Sequence, residues 1–110
     1  MIKGVRTVKT FDLPPGVVKA VAGIVQSVES EPYATALVVA EQAVLDKYSA
    51  VNGKTQRHLI EAIQESLVNK RAGAVTLIRR YELPMSERTF RRARRYYCWV
   101  VAKELGMVKE

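Results

Sequence analysis

The sequence predicts an all-α protein, a small helical domain of four to five helices that ends in a helix-turn-helix with a long basic second helix. Three observations lead to this prediction. Apolar residues recur at helical spacing in several segments, proline and glycine signals separate those segments, and the last one carries cap signals at both ends. A chain of 110 residues suits one domain. We therefore expect 1–110 to form a single helical domain, with 70–106 as its helix-turn-helix-like region.

Two apolar helices are expected in the N-terminal half of the chain. From Val17 onward, valine and isoleucine recur at i, i+3 and i+4 spacing, which predicts a helix over 17–28. Residues 30–32 (Ser-Glu-Pro) can cap and start a second helix, because proline is tolerated in a first turn, and this helix is predicted over 32–48. Residues 1–12 alternate only weakly and are expected to form an arm or a short strand.

Turn and cap signals mark two further helices. Asn52-Gly53 predicts a turn, and Thr55 is a suitable N-cap for a third helix over 56–69. A fourth, shorter helix is predicted over 72–81. Pro84 prevents its continuation, since the residue before a proline avoids helical backbone angles.

The fifth helix has the clearest boundaries and is predicted from 86 to 105. Ser86 can cap its start, and Glu87 is favourably placed near the positive end of the helix dipole. Met85 and Phe90 have the spacing of a hydrophobic staple. Gly106 supplies a glycine just after the last turn, where helices commonly end.

The positive charge of the chain is confined to one segment. The net charge is +7, yet residues 1–69 hold 7 basic and 7 acidic side chains, and residues 98–110 hold 2 of each. Residues 70–97 hold 9 basic and 2 acidic side chains, and eight of the nine cations are arginine. Segregation of this kind is typical of a protein that binds a polyanion.

The fifth helix is amphipathic when its residues are placed at intervals of about 100°. One arc holds apolar side chains and is the predicted core face: Phe90, Ala93, Tyr97, Val100, Val101 and Leu105. The opposite side holds cations and two large aromatic residues: Arg88, Arg91, Arg92, Arg95, Tyr96, Trp99 and Lys103. Two roles are open for the aromatic pair, namely stacking on sugars or bases and packing against another subunit.

A polar face of nearly one sign favours a polyanion partner. Residues three or four apart on a helix are neighbours, so like charges at these spacings repel each other unless an anion lies nearby. The like-charge pairs are Arg88/Arg92, Arg91/Arg95 and Arg91/Arg94. Arginine also forms bidentate contacts with phosphates and guanine edges. A solvated surface and an acidic protein partner stay open as alternatives.

A short helix, a break of three to four residues and a capped basic helix form the sequence pattern of a helix-turn-helix. In that motif the first turns of the second helix enter the major groove, so Arg88 and Arg92 are expected to reach base edges. Arg79 and Arg80, on the preceding helix, are expected to contact phosphates. The complete set of expected DNA-binding residues is Arg79, Arg80, Ser86, Glu87, Arg88, Arg91, Arg92, Arg95 and Trp99.

Residues 83–92 (LPMSERTFRR), followed by 101–106 (VAKELG), resemble the C-terminal region of ArpU/RinA-type phage transcriptional regulators. Those proteins read as an apolar residue, Ser, two polar or basic residues, Thr, an aromatic, basic residues, and then Ala-x-x-Leu-Gly. The resemblance covers 72–106. Two positions depart from it: Arg80 stands where a small residue is usual, and Pro84 stands where the turn often has glycine. The angle between the two helices is therefore expected to differ from the standard one.

The resemblance implies a DNA-binding transcriptional regulator of phage or prophage genes, acting on late or packaging genes. The expected partners are double-stranded DNA, further copies of the chain and, as an option, host RNA polymerase. A homo-oligomer is expected to be built mainly by 17–48, whose apolar residues spread around much of each helix; a purely monomeric core is the alternative. Two other functions stay open: a DNA-packaging protein like a small terminase subunit, and a module that docks its basic helix on an acidic protein.

No enzymatic chemistry, metal or cofactor is predicted. The carboxylates are scattered, no glycine-rich phosphate loop is present, and His58 is the sole histidine. Cys98 lies at the edge of the predicted core face, where a free cysteine is usually buried. A single cysteine fits a reducing, cytosolic setting, and the resemblance implies that this is the cytoplasm of a bacterial host. The most apolar stretches fall short of the roughly 20 residues of a membrane span, and no membrane partner is expected.

Overall fold

The computed structural model of the chain describes residues 13, 16–26, 33–48, 53–69 and 71–107. These ranges hold five α-helices and no strand, so the predicted all-α class is confirmed. In chain order the helices are α1 (Val17–Gln26), α2 (Tyr33–Lys47), α3 (Gly53–Val68), α4 (Ala74–Arg80) and α5 (Glu87–Glu104).

The third helix begins earlier than its cap signal predicts. Because α3 starts at Gly53, Thr55 lies inside the first turn, and the prediction that Thr55 is the N-cap is wrong. A turn signal marks where the chain changes direction without fixing the first helical residue, and helix starts accept glycine. The other predicted ends fall within two residues of those observed. The expected arm or strand at 1–12 and the cap at 30–32 lie outside the described residues.

The five helices share one cluster of buried apolar side chains. The helix α5 contacts each of the other four and packs most extensively against α2. Its buried residues are Phe90, Ala93, Tyr97, Cys98, Val100, Val101 and Ala102. The predicted core face is thus correct for five of its six members, and Leu105 at the helix end is partly buried. Among the described helices, none is long and apolar enough to cross a membrane.

A polar contact inside this cluster joins three helices. Tyr97 of α5 is fully buried, and its hydroxyl accepts a hydrogen bond of 3.0 Å from Nε2 of Gln64 in α3. The same amide lies 3.4 Å from a carboxylate oxygen of Glu41 in α2. Burial raises the pKa of Tyr97 to about 12, so this phenol stays protonated throughout the neutral range. The contact fixes the position of α5 against α2 and α3.

Both α4 and α5 end in the same hydrogen-bonded turn. After α4, the N–H of Leu83 donates to the carbonyl of Ile78 at 2.9 Å, and Glu82 lies between them with φ of 53°. After α5, the N–H of Met107 donates to the carbonyl of Ala102 at 2.7 Å, and Gly106 has φ of 76°. Glycine adopts such angles readily, whereas a glutamate does so at a steric cost.

Candidate nucleic-acid interface

A short connection, 81–86, joins α4 to α5. Tyr81 is the C-cap of α4 and Ser86 is the N-cap of α5, which leaves four residues between the caps. The Ser86 hydroxyl accepts a hydrogen bond of 3.1 Å from the N–H of Thr89, so the predicted cap is confirmed. Leu83 in the connection and Phe90 in α5 are both buried. These two side chains hold the start of α5 against the core while its other face stays in solvent.

Four arginines near the start of α5 are exposed, as their angular positions predict. They are Arg88, Arg91, Arg92 and Arg95. Arg91 forms an ion pair with Glu87 one turn earlier. Among the described residues, no carboxylate forms an ion pair with Arg88 or Arg92. Glu87 therefore neutralises one cation of this face and leaves an excess of positive charge.

The C-terminal end of α2 lies beside this basic face. The Nζ atom of Lys47 lies 5.2 Å from the centre of the Tyr96 ring. The neighbouring Tyr48 is partly buried, and that burial raises its pKa, although the charge of Arg92 nearby opposes the rise. Lys47 thus adds a cation from a second helix to the arginines of α5, which sequence analysis did not foresee because Lys47 is distant in the chain.

The two arginines of α4 have different surroundings. Arg80 forms an ion pair with Glu65 of α3, and the same carboxylate accepts a hydrogen bond of 2.7 Å from the Tyr81 hydroxyl. These hydrogen bonds, first from Tyr81 and then from Arg80, lower the pKa of Glu65. Arg79 is exposed and forms no ion pair with any described residue. Of the two residues expected to contact phosphates, Arg79 is thus the better placed.

Trp99 lies apart from the arginines of the first turns. Its ring is stacked on that of Tyr96, with centres 6.5 Å apart and planes 12° from parallel. The Nζ atom of Lys103 lies 5.3 Å from the centre of the Trp99 ring. The ring is partly buried, two turns beyond Arg92. Trp99 is therefore grouped with Tyr96, Lys47 and Lys103 rather than with the expected base-reading arginines.

Arg94 is a member of the basic segment that is not among the expected DNA-binding residues, and its surroundings differ from those of the exposed α5 arginines. It lies about 40° from Phe90 on the helical wheel, within the arc of the core residues. Its side chain is half-buried, and its Nε donates to the hydroxyl of Ser66 in α3 at 3.0 Å. Arg91, Arg94 and Ser66 together line a cavity of about 370 Å³ between α3, α4 and α5. A charged residue at a core angle is the sequence signal that identifies this position.

Two further side chains that sequence analysis considered, Cys98 and His58, lie within the described part of the chain. Cys98 is buried, and burial raises the pKa of its thiol to about 11. His58 is half-buried, with its ring centre 6.2 Å from that of Tyr81. Over the described ranges, no group of three or more His, Cys, Asp or Glu side chains is placed to hold a metal ion.

The resemblance of residues 72–106 to ArpU/RinA-type regulators is a prediction from the residues alone. No protein-family model, no curated protein and no solved structure matches the chain.

Proposed function

We propose that the protein binds double-stranded DNA through a helix-turn-helix made of α4 and α5, with the first turns of α5 in the major groove. The observation that carries this proposal is the exposed basic face at the start of α5. Arg88 and Arg92 lie one turn apart on it, and neither forms an ion pair with a described carboxylate. Like charges at this spacing repel each other, and a DNA duplex supplies the anions that remove this repulsion.

The proposed contacts divide into base reading and positioning. Arginine recognises guanine by two parallel hydrogen bonds to O6 and N7, so Arg88 and Arg92 are assigned to base edges. Arg79 on α4 is assigned to the phosphate backbone, where its contact positions the protein without reading sequence. Glu87 pairs with Arg91 and orients it. Arg80 contributes less, because Glu65 already binds its guanidinium.

Within this proposal, the protein acts as a transcriptional regulator of phage or prophage genes. The resemblance to ArpU/RinA-type proteins supports this narrower function. A single helix-turn-helix contacts only a short stretch of duplex, so two or more copies are expected to bind one operator. Residues 17–48 are the proposed contact region between copies, and Val38 of α2, which is 63% exposed, belongs to it. Contact with host RNA polymerase is proposed on the same resemblance.

Selection of bound sequences from a random duplex library tests the main proposal. We expect enrichment of a guanine-containing site, and we expect log affinity to fall linearly with log salt at about −0.9 per neutralised phosphate. Arg57→Ala is a matched control, because Arg57 is an exposed arginine of α3 and does not belong to α4 or α5. No enrichment combined with salt-independent binding would reject the proposal. Steep salt dependence without enrichment would leave only a non-specific polyanion binder.

A further inference from the structure

Arg94 forms a hydrogen bond with Ser66 and, among the described residues, no ion pair. Its Nε donates to the Ser66 hydroxyl at 3.0 Å, and that hydroxyl donates its own proton to the carbonyl of Ile63 at 2.6 Å. The serine is therefore an acceptor for Arg94, and it holds the guanidinium in one orientation. An arginine has five N–H donors, so four donors on the two terminal nitrogens remain beyond this contact.

The charge of Arg94 is not neutralised within the described part of the chain. No described carboxylate forms an ion pair with Arg94, and Glu87 is engaged by Arg91. The group of Arg91, Arg94 and Glu87 therefore carries a net charge of +1. Removing an unpaired charge from water costs free energy, and the half-buried guanidinium of Arg94 carries part of this desolvation penalty. An anion placed against the free donors would remove it.

The cavity beside Arg94 provides room for such an anion. It measures about 370 Å³, within the range of roughly 300–1,000 Å³ typical of ligand cavities, and Arg91 lines it together with Arg94 and Ser66. The planar fork of arginine matches the oxygens of a phosphate group, which accept two parallel hydrogen bonds. We propose that this cavity is a phosphate-binding site, with Arg94 as its principal ligand and Ser66 as the residue that orients Arg94.

The phosphate group has two sources, a DNA backbone and a free phosphorylated compound. Arg91 belongs both to the cavity and to the exposed face of α5, so a backbone phosphate of bound DNA lies within reach of the site. This source rests on the proposed function. Binding of free phosphate does not, because it needs only the cavity and its two arginines.

The first test titrates inorganic phosphate into the full chain through the millimolar range, with sodium chloride holding ionic strength constant. Proton–nitrogen NMR spectra follow the Arg94 Nε signal and the amides of Gly73 and Ala74, which also line the cavity. We expect saturable shifts of these signals and a phosphate-dependent rise in melting temperature, since a ligand that binds only the folded state stabilises it. The absence of saturable shifts in the wild-type protein overturns the proposal.

Three variants localise the effect. Arg94→Gln should lose tenfold or more of the phosphate affinity, because a hydrogen bond to a charged group is worth about 1.5–3 kcal/mol. Arg57→Gln removes an exposed arginine outside the cavity and should bind phosphate as the wild type does. Ser66→Ala keeps both arginines and should weaken binding several-fold, so it tests the site even where Arg94→Gln does not fold. Equal phosphate affinity in all three variants overturns the proposal.

Duplex binding then separates the two sources. A backbone phosphate in the cavity predicts that Arg94→Gln weakens DNA binding equally for all sequences and that inorganic phosphate competes with DNA more strongly than chloride does. A free ligand predicts unchanged DNA affinity in Arg94→Gln. Phosphate binding without any DNA binding supports the site and rejects the proposed function, so the two failures are distinguishable.

Discussion

The two halves of α5 differ in what their side chains contact. Residues 87–95 contain five arginines. Only two of the nine residues in this range, Phe90 and Ala93, are buried. Residues 96–104 contain one lysine and no arginine, and five of their nine side chains are buried. One continuous helix thus anchors itself in the core by its second half and exposes cations with its first. Folding therefore depends mainly on the second half of α5, whereas the first half supplies the exposed charge on which the proposed DNA contact rests.

The largest expected effect concerns the anchoring half. Tyr97→Ala should lower the free energy of unfolding by about 3–5 kcal/mol, as other large aromatic truncations in cores do. Tyr97→Phe keeps the ring and removes only the acceptor for Gln64, so it should cost about 1 kcal/mol. Urea unfolding followed by circular dichroism measures both values. A loss below 1 kcal/mol for Tyr97→Ala would contradict the role of this half as the anchor.

The next effect concerns the basic half. Arg88→Ala and Arg92→Ala should each weaken binding to the selected DNA site by about 1–3 kcal/mol and relax its sequence preference. Their free energies of unfolding should change by less than about 0.5 kcal/mol, because both side chains are exposed. Fluorescence anisotropy with specific and random duplexes measures the first effect. Equal losses on both duplexes would remove these residues from base reading.

The next prediction concerns the turn between α4 and α5, which positions the start of the basic half. Glu82 has φ of 53°, which costs a non-glycine residue about 1 kcal/mol. Glu82→Gly should therefore raise the free energy of unfolding by up to about 1 kcal/mol, while Glu82→Gln, which keeps the side-chain shape, should not. If Glu82→Gln raised the free energy of unfolding as much as Glu82→Gly, the effect would come from the charge of Glu82 and not from its backbone angle.

Smaller effects are expected on α4. Arg80→Ala removes the ion-pair partner of Glu65 and should lower the free energy of unfolding only slightly, because solvent screens a partly exposed pair. Arg79→Ala should leave stability unchanged and weaken binding to every duplex alike, with a reduced salt slope. A stability loss for Arg79→Ala equal to that of Arg80→Ala would show that the two residues are not distinguished by Glu65.

The smallest effect is the acid dependence of the Glu65 contact. Hydrogen bonds from Tyr81 and Arg80 lower the pKa of Glu65 in the folded state. Such a group stabilises the fold above its unfolded pKa, and this stabilisation is lost as pH falls through the folded pKa. Glu65→Gln should therefore show a shallower decline in urea midpoint between neutral pH and about pH 3. A decline as steep as that of the wild type would contradict the assignment.

Much of the helical fold could be predicted from local signals. The Ser86 cap and the Gly106 stop depend on residues next to the helix ends, and the structure confirms both. The angular pattern of α5 separated buried from exposed side chains because a regular helix repeats every 3.6 residues. The predicted start of α3 was wrong because the Asn52-Gly53 signal does not specify which residue begins the helix.

The candidate site could be predicted only where it lies on one helix. Arg88 and Arg92 are neighbours in sequence and in space, so periodicity identified them. Lys47 joins them through packing of α2, and Ser66 meets Arg94 through packing of α3. Likewise, the ion pair between Arg80 and Glu65 could be predicted only from the packing of α3 against α4. Contacts between distant segments leave no local signal in one sequence.

Because Cys98 is buried, its alkylation can report how often α5 detaches from the core. Only a thiolate reacts readily with alkylating reagents, and this thiol is buried with a pKa of about 11. Its alkylation rate in the folded protein is therefore governed by how often α5 leaves the core. Cysteines introduced at exposed positions such as Arg95 would react at once, while Cys98 reacts on the timescale of helix detachment. Fluorophores can thus be attached to the basic face without first replacing the native cysteine.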